Sequence, residues 1–172
     1  ATKHNIKIAS IEDLISYRLK NEKLITNTHV KQISIKKYGK FNLFFYKNKL
    51  DSSEHYAITK GRFKPSKSTR VRVISTNIFN NLTNISNSAF KSSLKYLTNY
   101  NNFALILIKD QNFNSSKNIK KNSKDNNIIR YYGIGAQIIK DLKIKNMILV
   151  SRSKKKIIGL DGYDIKITKQ EI

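Results

Sequence analysis

An α/β fold, with a mixed sheet flanked by helices, is predicted by three features of this 172-residue chain. Phe103 to Ile108 is an unbroken apolar run of strand length, the pattern of a buried strand. Lys31 to Lys37 alternates polar with apolar residues and passes through Tyr38-Gly39-Lys40 into Phe41 to Tyr46, which predicts a hairpin. After residue 130 helix and strand patterns alternate: a helix over Gly135–Leu142, a strand over Met147–Val150, a short helix around Lys155–Leu160 and a strand over Asp164–Thr168.

The remaining elements follow in order. A first strand is expected at Asn5–Ala9, then a helix with Ser10 as N-cap and Asp13 three residues on. Ile11, Leu14, Ile15 and Leu19 recur at helical spacing, so one face of that helix is apolar and must dock on something. His55–Thr59 and Thr69–Ile74 read as two more strands. Ser75 to Ser88 is rich in Asn, Ser and Thr without a sustained period, whereas Ala89, Phe90, Leu94 and Leu97 are spaced for a helix leading into Phe103. Gln111 to Asn127, almost wholly Asn, Lys and Ser, is expected to be an exposed, mobile loop, because it has too little apolar surface to offset the entropy of ordering it. No internal repeat is visible.

A chain of this length makes one domain and buries roughly 70% of its unfolded surface, so it needs no disulfide or metal to fold. It has no Cys. Its apolar runs fall far short of the ~20 residues that span a bilayer, and no secretory leader is visible. The expectation is a soluble, cytoplasmic protein with no membrane partner. The formal charge of +23 would ordinarily point to nucleic acid. Here 28 Lys and only 6 Arg travel with 20 Asn and 26 Ile, the residues an A/T-rich genome encodes by default. The lysines are also scattered through every kind of element, so a nucleic-acid partner is not expected. The rival, a basic RNA-associated protein, would gather its Lys and Arg on one face.

The most specific stretch is the last third. Arg130-Tyr131-Tyr132-Gly133-Ile134-Gly135-Ala136-Gln137, the Met147-Ile148-Leu149-Val150-Ser151 strand, Lys154-Lys155-Lys156 and Gly159-Leu160-Asp161-Gly162-Tyr163 together resemble the C-terminal signature of GTP cyclohydrolase II, an early enzyme of riboflavin synthesis. Gly39 to Leu43 and Glu54 to Gly61 are similar to that family's first hairpin and the strand after it. His4 to Leu19 resembles the junction at which a dihydroxybutanone phosphate synthase domain ends and the cyclohydrolase begins in the fused, bifunctional riboflavin enzyme. The resemblance implies that residues 1–24 are the end of a preceding synthase domain with a linker helix and that 25–172 are a GTP cyclohydrolase II-like domain. As the chain opens on Ala, it is expected to be a C-terminal piece of a longer polypeptide or a remnant of one.

Active members of that family use zinc and magnesium. They carry Arg-Val-His-Ser-Glu-Cys and, ten residues on, Cys-Asp-Cys, thiolates that hold a zinc with one open position for the water that opens the purine's imidazole ring. The aligned residues here are Arg72-Val73-Ile74-Ser75-Thr76-Asn77 and Ser88-Ala89-Phe90. Asn77, Ser88 and Phe90 thus stand where the cysteines should be, and His4, His29 and His55 are far away in sequence, so no metal or cofactor is expected. Arg130 occupies the place of the family's nucleophile towards the α-phosphate of GTP, but the base position is Ile128 and the Asp after the Arg is Tyr131. The family's Glu-Gly-Arg loop aligns only with Gln111-Asn112-Phe113. Ser151 stands in for a family Thr and Lys156 for its phosphate-binding Lys.

The resemblance therefore implies a nucleotide-binding set of Arg72, Ser75, Ser151 and Lys156, weak affinity for GTP or pyrophosphate, a homodimer, and an upstream synthase domain as partner. The expected function is a degenerate domain without GTP hydrolysis, a structural or regulatory appendage of the synthase. The alternative is residual GTP activity through Arg130 and Lys156.

Each of these residues also has a plainer reading. Gly133-Ile134-Gly135 lacks the third glycine and the acid of a dinucleotide loop, so its glycines are expected to allow tight packing at a helix start. Arg130 without a nearby acid reads as a surface ion-pairing residue. Lys154 to Lys156 read as a solvated charge run whose backbone amides could still accept a phosphate. Arg70 and Arg72 alternate with Val71 and Val73, so they share one polar face, either a relic phosphate contact or solvent.

Overall fold

The structure, a computed structural model, describes residues 4, 7–8, 13–14, 17, 21–76, 88–109, 133–153 and 163–171. Strands β1 (Ile25–Ile35), β2 (Gly39–Asn48), β3 (Glu54–Lys60), β4 (Thr69–Thr76), β5 (Phe103–Lys109), β6 (Asn146–Val150) and β7 (Lys166–Glu171) form one sheet in the order β1-β2-β3-β5-β4-β6-β7. The pairs β1–β2, β2–β3 and β3–β5 are antiparallel, and β5–β4, β4–β6 and β6–β7 are parallel. The sheet is mixed, as expected, and β5 belongs to both halves.

Among the described residues, two helices cover it. α1 (Ser88–Leu97) connects β4 to β5, and α2 (residues 133–141) lies between β5 and β6. The first connection moves one strand in one direction and the second steps back across β4, so right-handed crossovers place the helices on opposite faces. α1 is amphipathic: Leu94 and Leu97 are buried while Lys91, Ser92 and Lys95 are exposed. Its buried side packs with Phe41, Ile58, Ile74, Phe103, Leu105 and Leu107. α2 is different, with every residue from 133 to 139 buried. Ile134, Ala136, Ile138 and Ile139 pack with Ala57, Val71, Ala104, Ile106 and Ile108 on the other face. β5 feeds both clusters by alternation, which is why it reads as an unbroken apolar run.

Two glycine-bearing turns set the sheet's geometry. The β1–β2 turn places Lys37 at φ 78° and Gly39 at φ 98°, with the Tyr38 amide donating to the Ile35 carbonyl at 2.9 Å. At the end of β3, Gly61 has φ 80°, and a Cβ there would collide with the Asn101 carbonyl oxygen.

Some expectations shift. The first strand is not formed at Lys7 and Ile8, the described part of Asn5–Ala9, and Ile8 is exposed. β1 is the sheet's edge, and its outer flank is not paired by those residues. Residues 13, 14, 17 and 21 are helical, but Leu14 is 56% exposed, so that member of the apolar face has no cover; Ile11, Ile15 and Leu19 lie outside the described residues. β1 begins at Ile25 rather than Lys31, because an edge strand exposed on both faces shows no clean alternation. The last strand starts at Lys166 rather than Asp164, whose φ of 57° makes it a turn residue. α2 is already helical at Gly133, and a Cβ on Gly135 would meet Ile108 and Val73 at 3.5 Å, an ordinary contact, so that glycine is not demanded by space. The segments Gln111–Asn127 and Lys155–Leu160 lie outside the described residues. No helix among the described residues is long and apolar enough to cross a membrane.

Candidate functional site

In an open sheet with helices on both faces, ligands bind outside the carboxyl ends of the parallel strands where the order of construction reverses. Here that place is the end of β4, between the ends of β5 and β6. Ser75 is exposed there, one residue before β4 ends, and Ser151 follows directly on β6.

Arg72 lies three residues further back on β4 and is half-buried. Its Nη1 donates to the Val150 carbonyl at the tip of β6, at 3.0 Å. Its Nε is buried with no hydrogen-bond partner among the described residues. Burial, with the charge of Arg152 added, holds the guanidinium below its ordinary value. An unsatisfied cationic donor beside a second cation is an arrangement that an anion would relieve.

Arg70, its neighbour on the same face, is fully engaged. Nε and Nη2 donate to the two carboxylate oxygens of Glu171 at 2.9 and 3.1 Å, and the guanidinium stacks 3.5 Å from the Tyr100 ring centroid. Tyr96 on α1 donates to Glu171 at 2.7 Å. For Glu171 burial acts upward, but the Tyr96 and Arg70 bonds outweigh it and hold the carboxyl below its ordinary value. For Arg70 burial acts downward and is outweighed by Glu171, with a net upward shift. The strand face carrying Arg70 and Arg72 is therefore neither solvated nor a paired phosphate clamp; it lies under α1, where Arg70 ties β4 to β7.

The other predicted residues divide plainly. The Ser151 hydroxyl donates to the Ser153 carbonyl at 2.5 Å and its amide to the Glu171 carbonyl at 2.9 Å, so its donors already serve its own turn and the pairing with β7. Phe90 is half-buried against the cluster under α1 and so acts as framework. Ser88 begins α1, its side chain outside the description, and Asn77, Arg130 and Lys156 lie outside the described residues. Arg72, Ser75 and Ser151 thus lie near the carboxyl ends of β4 and β6, but Arg72 and Ser75, three residues apart on one strand, face opposite sides of the sheet.

His55, set aside in the sequence as a nitrogen ligand too distant to matter, is 1% exposed at the same edge. Its Nδ1 accepts the Lys109 amide at 3.2 Å, and its Nε2 lies 3.2 Å from Ser53 Oγ, which donates to Asp51. That arrangement fixes the end of β5 and leaves the ring committed. His29 stacks on Phe45 with centroids 3.8 Å apart, on the exposed hairpin. Among the described residues no three His, Cys, Asp or Glu side chains converge to hold a metal. With Phe90 packed half-buried against the core, His55 engaged on both nitrogens and no thiolate in the chain, this donor set does not fit a catalytic zinc.

Comparison with known proteins is decisive for the family. The GTP cyclohydrolase II family model matches residues 26–171. The chain belongs to the GTP cyclohydrolase II family. Among curated relatives, a 3,4-dihydroxy-2-butanone 4-phosphate synthase of Photobacterium phosphoreum is 27% identical over 97% of this chain and 48% of its own length. The riboflavin biosynthesis protein RibBA of Bacillus mycoides is 28% identical over 99% of this chain and 48% of its own. The chain spans about half the length of these curated relatives. The crystal structure of RibBX, a two-domain 3,4-dihydroxy-2-butanone 4-phosphate synthase from A. baumannii, superposes with a TM-score of 0.70 at 25% identity, covering 99% of this chain and 46% of that one. This is a riboflavin-biosynthesis family with a GTP cyclohydrolase II-like domain.

Proposed function

We propose that this domain is a degenerate GTP cyclohydrolase II that does not hydrolyse GTP and serves as a structural or regulatory appendage of dihydroxybutanone phosphate synthase. The observation that carries the reading is Phe90: where the family places a zinc thiolate, this chain has a phenyl ring packed against the core under α1. A ring built into the framework cannot exchange for a ligand without loss of packing. The two similar proteins named above as synthases support the second half, since in them a matching half accompanies a protein named for the synthase reaction. Residues up to 24 are read as the end of that synthase and its linker.

What remains for a nucleotide is charge. Arg72 with its unpaired Nε, Ser75, Arg130 and Lys156 can hold GTP or pyrophosphate loosely and in a salt-dependent manner, without the placed partners that guanine recognition needs. Ser151 contributes little, as its donors are spent locally.

Elemental analysis and a GTP turnover assay test the reading together. The expected result is no stoichiometric zinc and no formate release. About one tightly held zinc per chain, or a formate signal abolished by chelator, would overturn it.

A further inference from the structure

The family match begins at residue 26, yet the chain is already fastened to the domain before that point. Gln137, near the middle of α2 and 8% exposed, reaches across to the segment leading into β1. Its Oε1 accepts the backbone amides of Leu24 at 2.9 Å and Ile25 at 3.3 Å, and its Nε2 donates to the Glu22 carbonyl at 2.9 Å. Only a primary amide can accept and donate in this way from one side chain. Leu24 is held from its other side as well, its carbonyl accepting the Lys49 amide at 2.8 Å.

The contacts around Gln137 repeat the arrangement. One turn along α2, Asp141 pairs with Lys23 at 3.6 Å and accepts the Tyr46 hydroxyl at 3.2 Å. Tyr163 shares a hydrogen bond with Gln137, and burial pushes its phenol up to about 12. A cavity of about 440 Å³ lies between the segment and the helix, lined by Glu22, Lys23, Gln137, Asp141 and Tyr163 among others. Gln137, 8% exposed, is thus covered by residues 22–25 on the side of α2 turned away from the sheet.

We infer that Gln137 is the fastening point by which the domain grips the segment leading into it, so that a preceding synthase domain would be joined rigidly to the sheet instead of hanging from a tether. The identity of that partner rests on the reading under Proposed function; the grip on residues 22–25 does not. Similarity to the two-domain RibBX covers 99% of this chain, so this segment belongs to the shared architecture and not to a variable overhang. Gln137 is a positioning residue, and it occupies the last place of the Gly-Ile-Gly-Ala-Gln signature, to which nothing above gives a role in nucleotide chemistry.

Amide hydrogen exchange on the intact chain tests it. In Gln137→Leu the Leu24 and Ile25 amides should exchange at least about tenfold faster while those of Val71 and Ile106 in the sheet centre stay unchanged, and tryptic cleavage after Lys23 should accelerate. Gln137→Glu keeps the acceptor and loses the donor, so Leu24 and Ile25 should remain close to the parent. Unchanged Leu24 and Ile25 rates in Gln137→Leu would overturn the inference. If that variant loses protection everywhere, Gln137→Glu decides: Leu24 and Ile25 protected as in the parent support the grip, and Leu24 and Ile25 exchanging freely while Val71 and Ile106 stay protected overturn it. A zinc-bearing or GTP-hydrolysing protein would sink the appendage reading and leave these rates as predicted.

Discussion

The interior of the sheet and its carboxyl edge obey different rules. In the interior Ala57, Val71 and Phe103 to Ile108 are almost wholly buried, and they pack with helices on both faces as in any well-formed α/β core. At the edge Phe90 has become framework, Ser151 bonds its own turn, His55 holds a strand end and Arg72 keeps one buried N–H unsatisfied. The difference teaches that a fold's packing and its chemistry are separable. Apolar positions are constrained by neighbours on every side, whereas ligand-facing positions are constrained only by the ligand.

The sharpest way to break that contrast is to attack the interior. Ile106→Ala in β5 should cost about 3 kcal/mol by chemical denaturation, since the side chain has no exposure and its truncation leaves a cavity on the α2 face. A cost below about 1 kcal/mol would mean that the interior is as relaxed as the edge. Next comes the turn at the end of β3: Gly61→Ala combines a left-handed backbone with a collision on Asn101, and a loss of about 2 kcal/mol is expected in the same measurement.

The edge should respond less. Glu171→Gln removes the charge facing Arg70 but keeps an acceptor, for a loss of about 1 kcal/mol at neutral pH. Because the folded carboxyl titrates below its ordinary 4.5, its contribution is complete above that value and is lost as pH falls through the lower, folded one. An acid-unfolding series should accordingly show parent and variant converging at low pH; a constant difference would show that the ion pair is not the cause. Smallest of all, Arg72→Met should change stability by no more than about 0.5 kcal/mol in either direction, since it removes an unpaired buried donor as well as the Val150 bond. The same variant should weaken pyrophosphate binding in a low-salt titration. A large destabilisation would make Arg72 a structural strut.

The interior was legible in the sequence and much of the edge was not, for physical reasons. β5 could be read because burial on both faces demands an apolar run, and β2 to β4 because each carries its own pattern. That the chain has no Cys is visible in composition alone. What stayed hidden depends on partners remote in the chain: Arg70 read as either a relic phosphate contact or a solvated residue until α1 and Glu171, 101 residues away, covered it. Gln137 contacts Leu24 across 113 residues, a pairing that no local period announces.

The position of β5 has a consequence for how the molecule is made. β3 and β4 are consecutive in the chain, separated only by residues 61–68, yet they never pair with each other; β5 inserts between them. During synthesis both must therefore emerge with bare hydrogen-bonding flanks and wait for residue 103 onward to arrive. Nascent chains halted before that point would be the stickiest species in the protein's life history, and the ones most in need of a chaperone.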